Sequence, residues 1–214
     1  MAHPTLMQAS ETALLVVDVQ EKLMVKIPSA DTLVRDIAFL IDAAKLTGIE
    51  VLATEQYPRG LGPTMPALAS RLPSRPDKLT FSCCGVPGLT DGLRKARRSR
   101  VLLAGIEAHV CVLQTALDLL ASDFRVYIAA DACASRYPAD RDIALRRLER
   151  AGAILTTAET AAFEWLGGST HPQFKAVSAL VQERMRQISG RHKDTGAGRR
   201  EDKETGRQGD WEIS

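Results

Sequence analysis

Residues 100–120 read RVLLAGIEAHVCVLQTALDLL. A run of Val101, Leu102 and Leu103 gives way to a glycine, Gly105, then a thiol, Cys111, and then Leu113, Ala116, Leu117 and Leu120 at the i, i+3, i+4, i+7 spacing of a buried helical face. The pattern predicts a strand, a tight turn and a helix with Cys111 in its opening turn. Unpaired backbone N–H groups and the positive end of the helix dipole favour a thiolate there over a thiol, which suits a nucleophile. Free cysteine is also among the most buried residue types. This stretch alone therefore leaves two readings of Cys111 open, a nucleophile or a packed core thiol.

Working outward, residues 13–17, ALLVV, form a continuous apolar run, the mark of a strand buried on both faces of a parallel sheet, and Asp18 stands at its carboxyl end. Ser29 is placed to cap a helix whose apolar positions Leu33, Val34, Ile37, Leu40, Ile41 and Ala44 keep a 3.6-residue period, and Gly48 stops it. Residues 49–53 read as a second strand, so the chain opens β-α-β with a right-handed crossover. Residues 54–73 are rich in Pro and Gly and read as a loop with one short helix around 65–71. Residues 78–82, KLTFS, read as a third strand or extended segment, and residues 90–97 as a short helix.

Downstream, residues 125–130 are a strand ending in Asp131. Pro138 starts a helix through about Arg150, with Asp140 and Asp142 in its first turn and Arg146, Arg147 and Arg150 toward its end, matching the dipole. Residues 153–155 are a short last strand, and residues 158–166 and 172–188 are closing helices. This alternation specifies a three-layer α/β domain on a parallel sheet.

The chain has 214 residues, 45% hydrophobic and 25% charged, and a formal net charge of +2. Those values are ordinary for a globular protein and leave no electrostatic footprint for nucleic acid or a membrane surface. Residues 1–11 read as an N-terminal extension, 12–188 as the domain, and 189–214 as a polar tail too poor in apolar residues to order itself. The N-terminus has neither a basic n-region nor the roughly 20 apolar residues of a membrane span. The four cysteines, Cys83, Cys84, Cys111 and Cys133, make no C-x-x-C pair. They are expected to be reduced thiols in a cytoplasmic protein.

Asp18 ends the first strand, Lys78 opens or precedes the third and Cys111 follows the fourth; in a parallel sheet Asp18 and Cys111 fall at one edge, and the three are expected to meet there. A carboxylate beside a cation can take the proton of a thiol nucleophile and pass it to a leaving group. Each residue also has a plain alternative: Asp18 as a strand-end turn, Lys78 as solvated charge, Cys111 as core.

At this point the chain resembles the isochorismatase-like cysteine hydrolases, a family that also includes nicotinamidases and N-carbamoylsarcosine amidohydrolases, and within it the isochorismatase-domain-containing subgroup of unassigned substrate. The blocks that carry the resemblance are LLVVDVQEK (14–22), ATEQYPRGLGPT (53–64), KLTFSC (78–83), AGIEAHVCVLQTALDLL (104–120), DACASR (131–136) and HPQFK (171–175). The resemblance implies a doubly wound, Rossmann-like sheet of about six strands with helices on both faces, and a homo-oligomer. It places the catalytic triad on Asp18, Lys78 and Cys111, a cis peptide between Ile106 and Glu107, and an oxyanion hole on the backbone N–H groups of Glu107 and Cys111.

Two departures narrow the implied activity. Nicotinamidases of this family carry an Asp-x-His-x-x-His metal site after the second strand, where this chain has Glu55, Gln56, Tyr57, Pro58, Arg59 and Gly60. No metal and no cofactor are therefore expected. True isochorismatases hydrolyse a vinyl ether without a cysteine nucleophile, so Cys111 points to thioester chemistry on a small amide or ureido substrate. Gln56, Tyr57, Phe81 and Tyr137 are candidates for substrate binding, with turn and packing roles as their alternatives. His109 reads as a pocket or supporting residue, His171 as a helix start, and Cys133, in a loop, as a rival thiol. The competing functions are a non-catalytic binding or regulatory member of the same fold, an isochorismatase-type vinyl ether hydrolase, and a redox-sensing thiol protein.

Overall fold

In the computed structural model, residues 3–196 are described, with side chains through residue 188. Strands β1 (Thr12–Val17), β2 (Glu50–Gln56), β3 (Asp77–Lys78), β4 (Arg100–Ile106), β5 (Arg125–Ala134) and β6 (Ile154–Thr156) form one sheet in the order β3-β2-β1-β4-β5-β6. Every neighbouring pair is parallel. The chain builds outward from β1 to β3, then returns across β1 to lay down β4, β5 and β6. The order therefore reverses between β1 and β4, and an open α/β sheet has its crevice at the carboxyl ends of the strands at such a reversal.

The main helices are α1 (Ala30–Leu46), α2 (Leu89–Lys95), α3 (Leu113–Ala121), α4 (Pro138–Arg150), α5 (Ala158–Leu166) and α6 (Phe174–Gly196). Successive strand residues alternate between the two faces. Leu14, Val16, Leu102 and Ala104 pack with Ile37, Leu40, Ala161, Trp165 and Val177 of α1, α5 and α6. Ala13, Leu15, Val17, Val101 and Leu103 pack with Leu93, Ala116, Leu119, Leu145 and Leu148 of α2, α3 and α4. Both faces of β1 and β4 are thus covered, which is why these strands are apolar at nearly every position. Residues before β1 pack onto this body: Met7 is buried, its N–H donates to Glu164 Oε2 at 2.8 Å, and the Tyr127 hydroxyl donates to the Thr5 carbonyl at 2.8 Å.

Several elements differ from the sequence reading. The third strand pairs only through Glu55 with Asp77 and Gln56 with Lys78, so Lys78 ends this strand and does not open it. Beyond Lys78 the carbonyls of Thr80 and Phe81 turn in to accept from its ammonium, at 3.2 and 2.9 Å, and cannot continue a ladder. The long loop holds two helical turns, Pro58–Leu61 and Pro66–Ala69. β5 runs past Asp131 to Ala134 through a register shift against β4, so Cys133 lies in a strand, paired with Gly105, and not in a loop. The shift leaves the Asp131 carboxylate free to cap α5, accepting from the Ala158 N–H at 2.8 Å, and to accept from Arg184 Nη2 at 2.8 Å. The last helix continues past Ile188 to Gly196. Residues 197–214, most of the segment read as a polar tail, lie outside the described residues.

Candidate active site

Asp18 follows β1 directly and turns the chain with a left-handed φ of 51°. Its side chain is fully buried. Oδ1 accepts from Thr54 Oγ1 at 2.8 Å and Oδ2 from Lys78 Nζ at 2.6 Å. Lys78 Nζ also reaches Gln56 Oε1 at 2.6 Å and the two carbonyls of Thr80 and Phe81. An ammonium has three protons, and these four acceptors use all of them. Lys78 is therefore a fixed cation with no donor to spare.

Close approach of β1 and β4 at this edge depends on Gly105, which pairs with Val17 and has φ of 127°. A Cβ there would stand 2.2 Å from the Val17 carbonyl oxygen. The peptide between Ile106 and Glu107 is cis. The chain then enters a wide π-helical turn, Ala108–Val112, before α3 begins. Glu107 caps this turn: its carbonyl accepts from the N–H groups of Val110 and Val112 at 3.1 and 3.2 Å. Its carboxylate accepts from the Arg136 N–H at 3.1 Å and pairs with the Arg136 guanidinium at 3.3 Å.

Cys111 lies in that turn with 6% of its surface exposed, near enough to Asp18 for the carboxylate charge to act on its thiol. Burial, followed by the Asp18 charge and hydrogen bond, pushes the thiol far above the ordinary cysteine range, and the Lys78 charge offsets only part of this. These surroundings favour the thiol, whereas a helix N-terminus by itself favours the thiolate. Against the partial charge of a helix end stand desolvation and the full negative charge of Asp18.

The structure thus brings Asp18, Lys78 and Cys111 together where β1, β3 and β4 end. It treats the four pocket candidates differently. Gln56 is buried, and its amide is spent on Lys78 and on the Leu79 carbonyl at 3.0 Å. Tyr57, about half exposed with φ of 38°, lines a cavity of about 330 Å³ with Arg59, Asp77, Lys78 and Leu79. Phe81 and Tyr137 are exposed; Phe81 contributes its carbonyl to Lys78, and the Tyr137 ring carries the Arg136 guanidinium. His109 points elsewhere, with Nδ1 at 2.9 Å from Ser135 Oγ and Nε2 at 3.7 Å from Asp140. His171 Nδ1 accepts from the Gln173 N–H at 3.1 Å. Cys133 is sealed in β5 with its sulfur 3.7 Å from the Leu103 carbonyl, and burial pushes its thiol up to about 12.

Glu55 is not a vacant ligand. Burial works against its charge, but hydrogen bonds from Thr64 N–H and Oγ1, at 2.8 and 2.6 Å, and from Arg75 Nε at 3.2 Å lower its carboxyl below the usual range. Among the described residues, no group of three or more His, Cys, Asp or Glu side chains could hold a metal ion.

Three supporting residues escaped the sequence reading. Gln20 clamps the backbone of Gln56 from both sides, accepting its N–H at 2.7 Å and donating to its carbonyl at 3.0 Å, and donates to the Gly62 carbonyl at 2.7 Å. Thr54 holds Asp18, and Cys83 Sγ lies 3.3 Å from Thr54 Oγ1. The available signal for Thr54 was register: it pairs with Val17, the residue before Asp18.

The family model of the isochorismatase domain matches residues 12–160. The chain is 44% identical over 147 residues to isochorismatase domain-containing protein 2 of Bos taurus, covering 68% of this chain and 71% of that one. It is 40% identical over 173 residues to the Homo sapiens protein of the same name, covering 80% and 83%. A solved structure described as MAR1 ribonuclease from Caenorhabditis elegans is 43% identical and superposes with a TM-score of 0.78 over 82% of this chain and 92% of that one. The matched model and these identities, over a sheet with its strand-order reversal at Asp18, make the chain a member of the isochorismatase family.

Proposed function

We propose that this protein is a cofactor-free hydrolase that cleaves a C–N bond of a small amide or ureido compound through a thioester on Cys111. The observation that carries this reading is the buried Asp18 carboxylate, held by Lys78 at one oxygen and Thr54 at the other, with the Cys111 thiol near enough for its charge to act on it. The thiol proton passes to Asp18 as sulfur attacks the carbonyl carbon. The backbone N–H groups of Glu107 and Cys111 receive the developing oxyanion. Collapse breaks the C–N bond, and Asp18 gives its proton to the departing nitrogen. Water then attacks the thioester, losing a proton to Asp18, and the departing sulfur takes that proton back. Lys78 keeps the Asp18 side chain oriented throughout.

The same reading makes the protein a cytoplasmic homo-oligomer. No helix among the described residues is long and apolar enough to cross a membrane. Tyr57, Leu79 and Phe81 leave an apolar surface beside Lys78 that a second copy would cover. Size-exclusion chromatography with light scattering tests this; a monomer at micromolar concentration overturns it.

A second reading, a ribonuclease, is favoured by the 43% identity to the Caenorhabditis elegans protein described as one. Both readings are tested by incubating wild type and Cys111→Ala with a panel of small amides, ureido compounds, isochorismate and single-stranded RNA. Ammonia release and a trapped thioester, both lost in Cys111→Ala, support the amide reading. Amide turnover retained by Cys111→Ala overturns the covalent route, and RNA cleavage without amide turnover selects the ribonuclease.

A further inference from the structure

Thr54 Oγ1 has two partners, Asp18 Oδ1 at 2.8 Å and Cys83 Sγ at 3.3 Å. A hydroxyl has one proton to donate, and a carboxylate paired with an ammonium can only accept. The Thr54 proton is therefore committed to Asp18, and the Cys83 thiol, which burial keeps protonated, donates back into Thr54 Oγ1. Thr54 also holds Asp18 through the main chain, since its carbonyl accepts the Asp18 N–H at 3.3 Å. Cys83 is itself anchored: its N–H donates to Thr115 Oγ1 at 2.9 Å, and Thr115 lies four residues beyond Cys111, one turn further along the same helical face. The turn that carries the thiol and the strand end that carries the carboxylate are thus joined by a continuous buried chain, Thr115 to Cys83 to Thr54 to Asp18.

We propose that Thr54 is a positioning residue for the Asp18 base and that Cys83 directs its hydroxyl. With Oδ1 held by Thr54 and Oδ2 by Lys78, the carboxylate cannot turn about its Cβ–Cγ bond and stays in place as the base for the Cys111 thiol. This inference rests on the cysteine-hydrolase reading above.

The test is alkylation of Cys111 by acrylamide at pH 7, followed on the full-length chain by mass spectrometry, with circular dichroism to check folding. The surroundings of Cys111 favour the thiol, so alkylation draws on Asp18 as proton acceptor. Thr54→Val is expected to slow alkylation about tenfold, the equivalent of one hydrogen bond to a charged group. Thr54→Ser, which keeps the hydroxyl, is expected to stay within about twofold of wild type on the same scale. In an Asp18→Asn background Thr54→Val is expected to cost nothing more, because the group it acts through is gone. A wild-type rate in Thr54→Val, a failure of Thr54→Ser to restore it, or an undiminished effect in Asp18→Asn overturns the proposal. Should Thr54→Val or Asp18→Asn not fold, Cys83→Ala serves as the second variant: a slowed rate supports the directing contact and an unchanged rate overturns it. Cys111→Ala in the substrate panel separates the two ideas, since amide turnover without Cys111 removes the covalent reading whatever Thr54 does to alkylation.

Discussion

Lys78 Nζ lies 2.6 Å from Asp18 Oδ2, and neither side chain reaches solvent. Two ions are taken out of water at the end of a three-stranded path, and each is stable there because the other and a set of neutral groups satisfy it. Removing one partner leaves the other charged and buried. Lys78→Met should therefore destabilise the protein by about 3 to 5 kcal/mol, well beyond the effect of an exposed lysine. Urea unfolding followed by circular dichroism measures the loss; a change under about 1 kcal/mol would mean that the pair is not closed to water.

Gly105 is required for a steric reason that does not depend on the chemistry. Gly105→Ala would place a methyl 2.2 Å from the Val17 carbonyl oxygen and force a side chain into φ of 127°. The main chain of β1 must then move, at the residue before Asp18. The expected cost is about 3 kcal/mol or more, with slower acrylamide labelling of Cys111 in whatever fraction folds. Near-wild-type stability in thermal melts would show that the two strands can separate at this edge.

Alkaline pH should weaken the fold before it weakens an exposed-thiol protein. Burial raises Cys83 to about 11 and Cys133 to about 12, from an ordinary value of 9.0, and Cys111 is raised in the same direction. Between pH 9 and 11 the unfolded chain loses thiol protons that the folded chain keeps, so stability, full below pH 9, falls as pH rises. Cys133→Ala should flatten this decline. Urea midpoints measured from pH 7.5 to 10.5 check it, and a flat profile for wild type would mean that these thiols are wetter than their surroundings indicate.

The fold was legible where burial acts on every residue of a segment. Residues 13–17 and 101–103 are apolar throughout because both faces of the sheet are covered, and the helical periods of residues 33–44 and 113–120 register one covered face each. Less was legible where a single polar group redirects the chain. The extended segment after Lys78 stops pairing because Thr80 and Phe81 carbonyls turn to an ammonium, and β5 outruns Asp131 because a register shift against β4 lets it continue. Neither leaves a periodic trace in the sequence. Gln56, a pocket candidate in the sequence, has its N–H and carbonyl held by Gln20, 36 residues upstream, a contact that no local pattern announces.

What the sequence by itself determined is the order of buried strands and amphipathic helices, and with it the edge at which Asp18 and Cys111 must lie, because hydrophobic burial is written residue by residue along the chain. Only the tertiary structure decided the state of the site. The surroundings of the Cys111 thiol, the saturation of Lys78 and the grip of Thr54 on Asp18 depend on distances between residues far apart in the chain. Desolvation and hydrogen bonding act over a few ångströms of space whatever the separation in sequence.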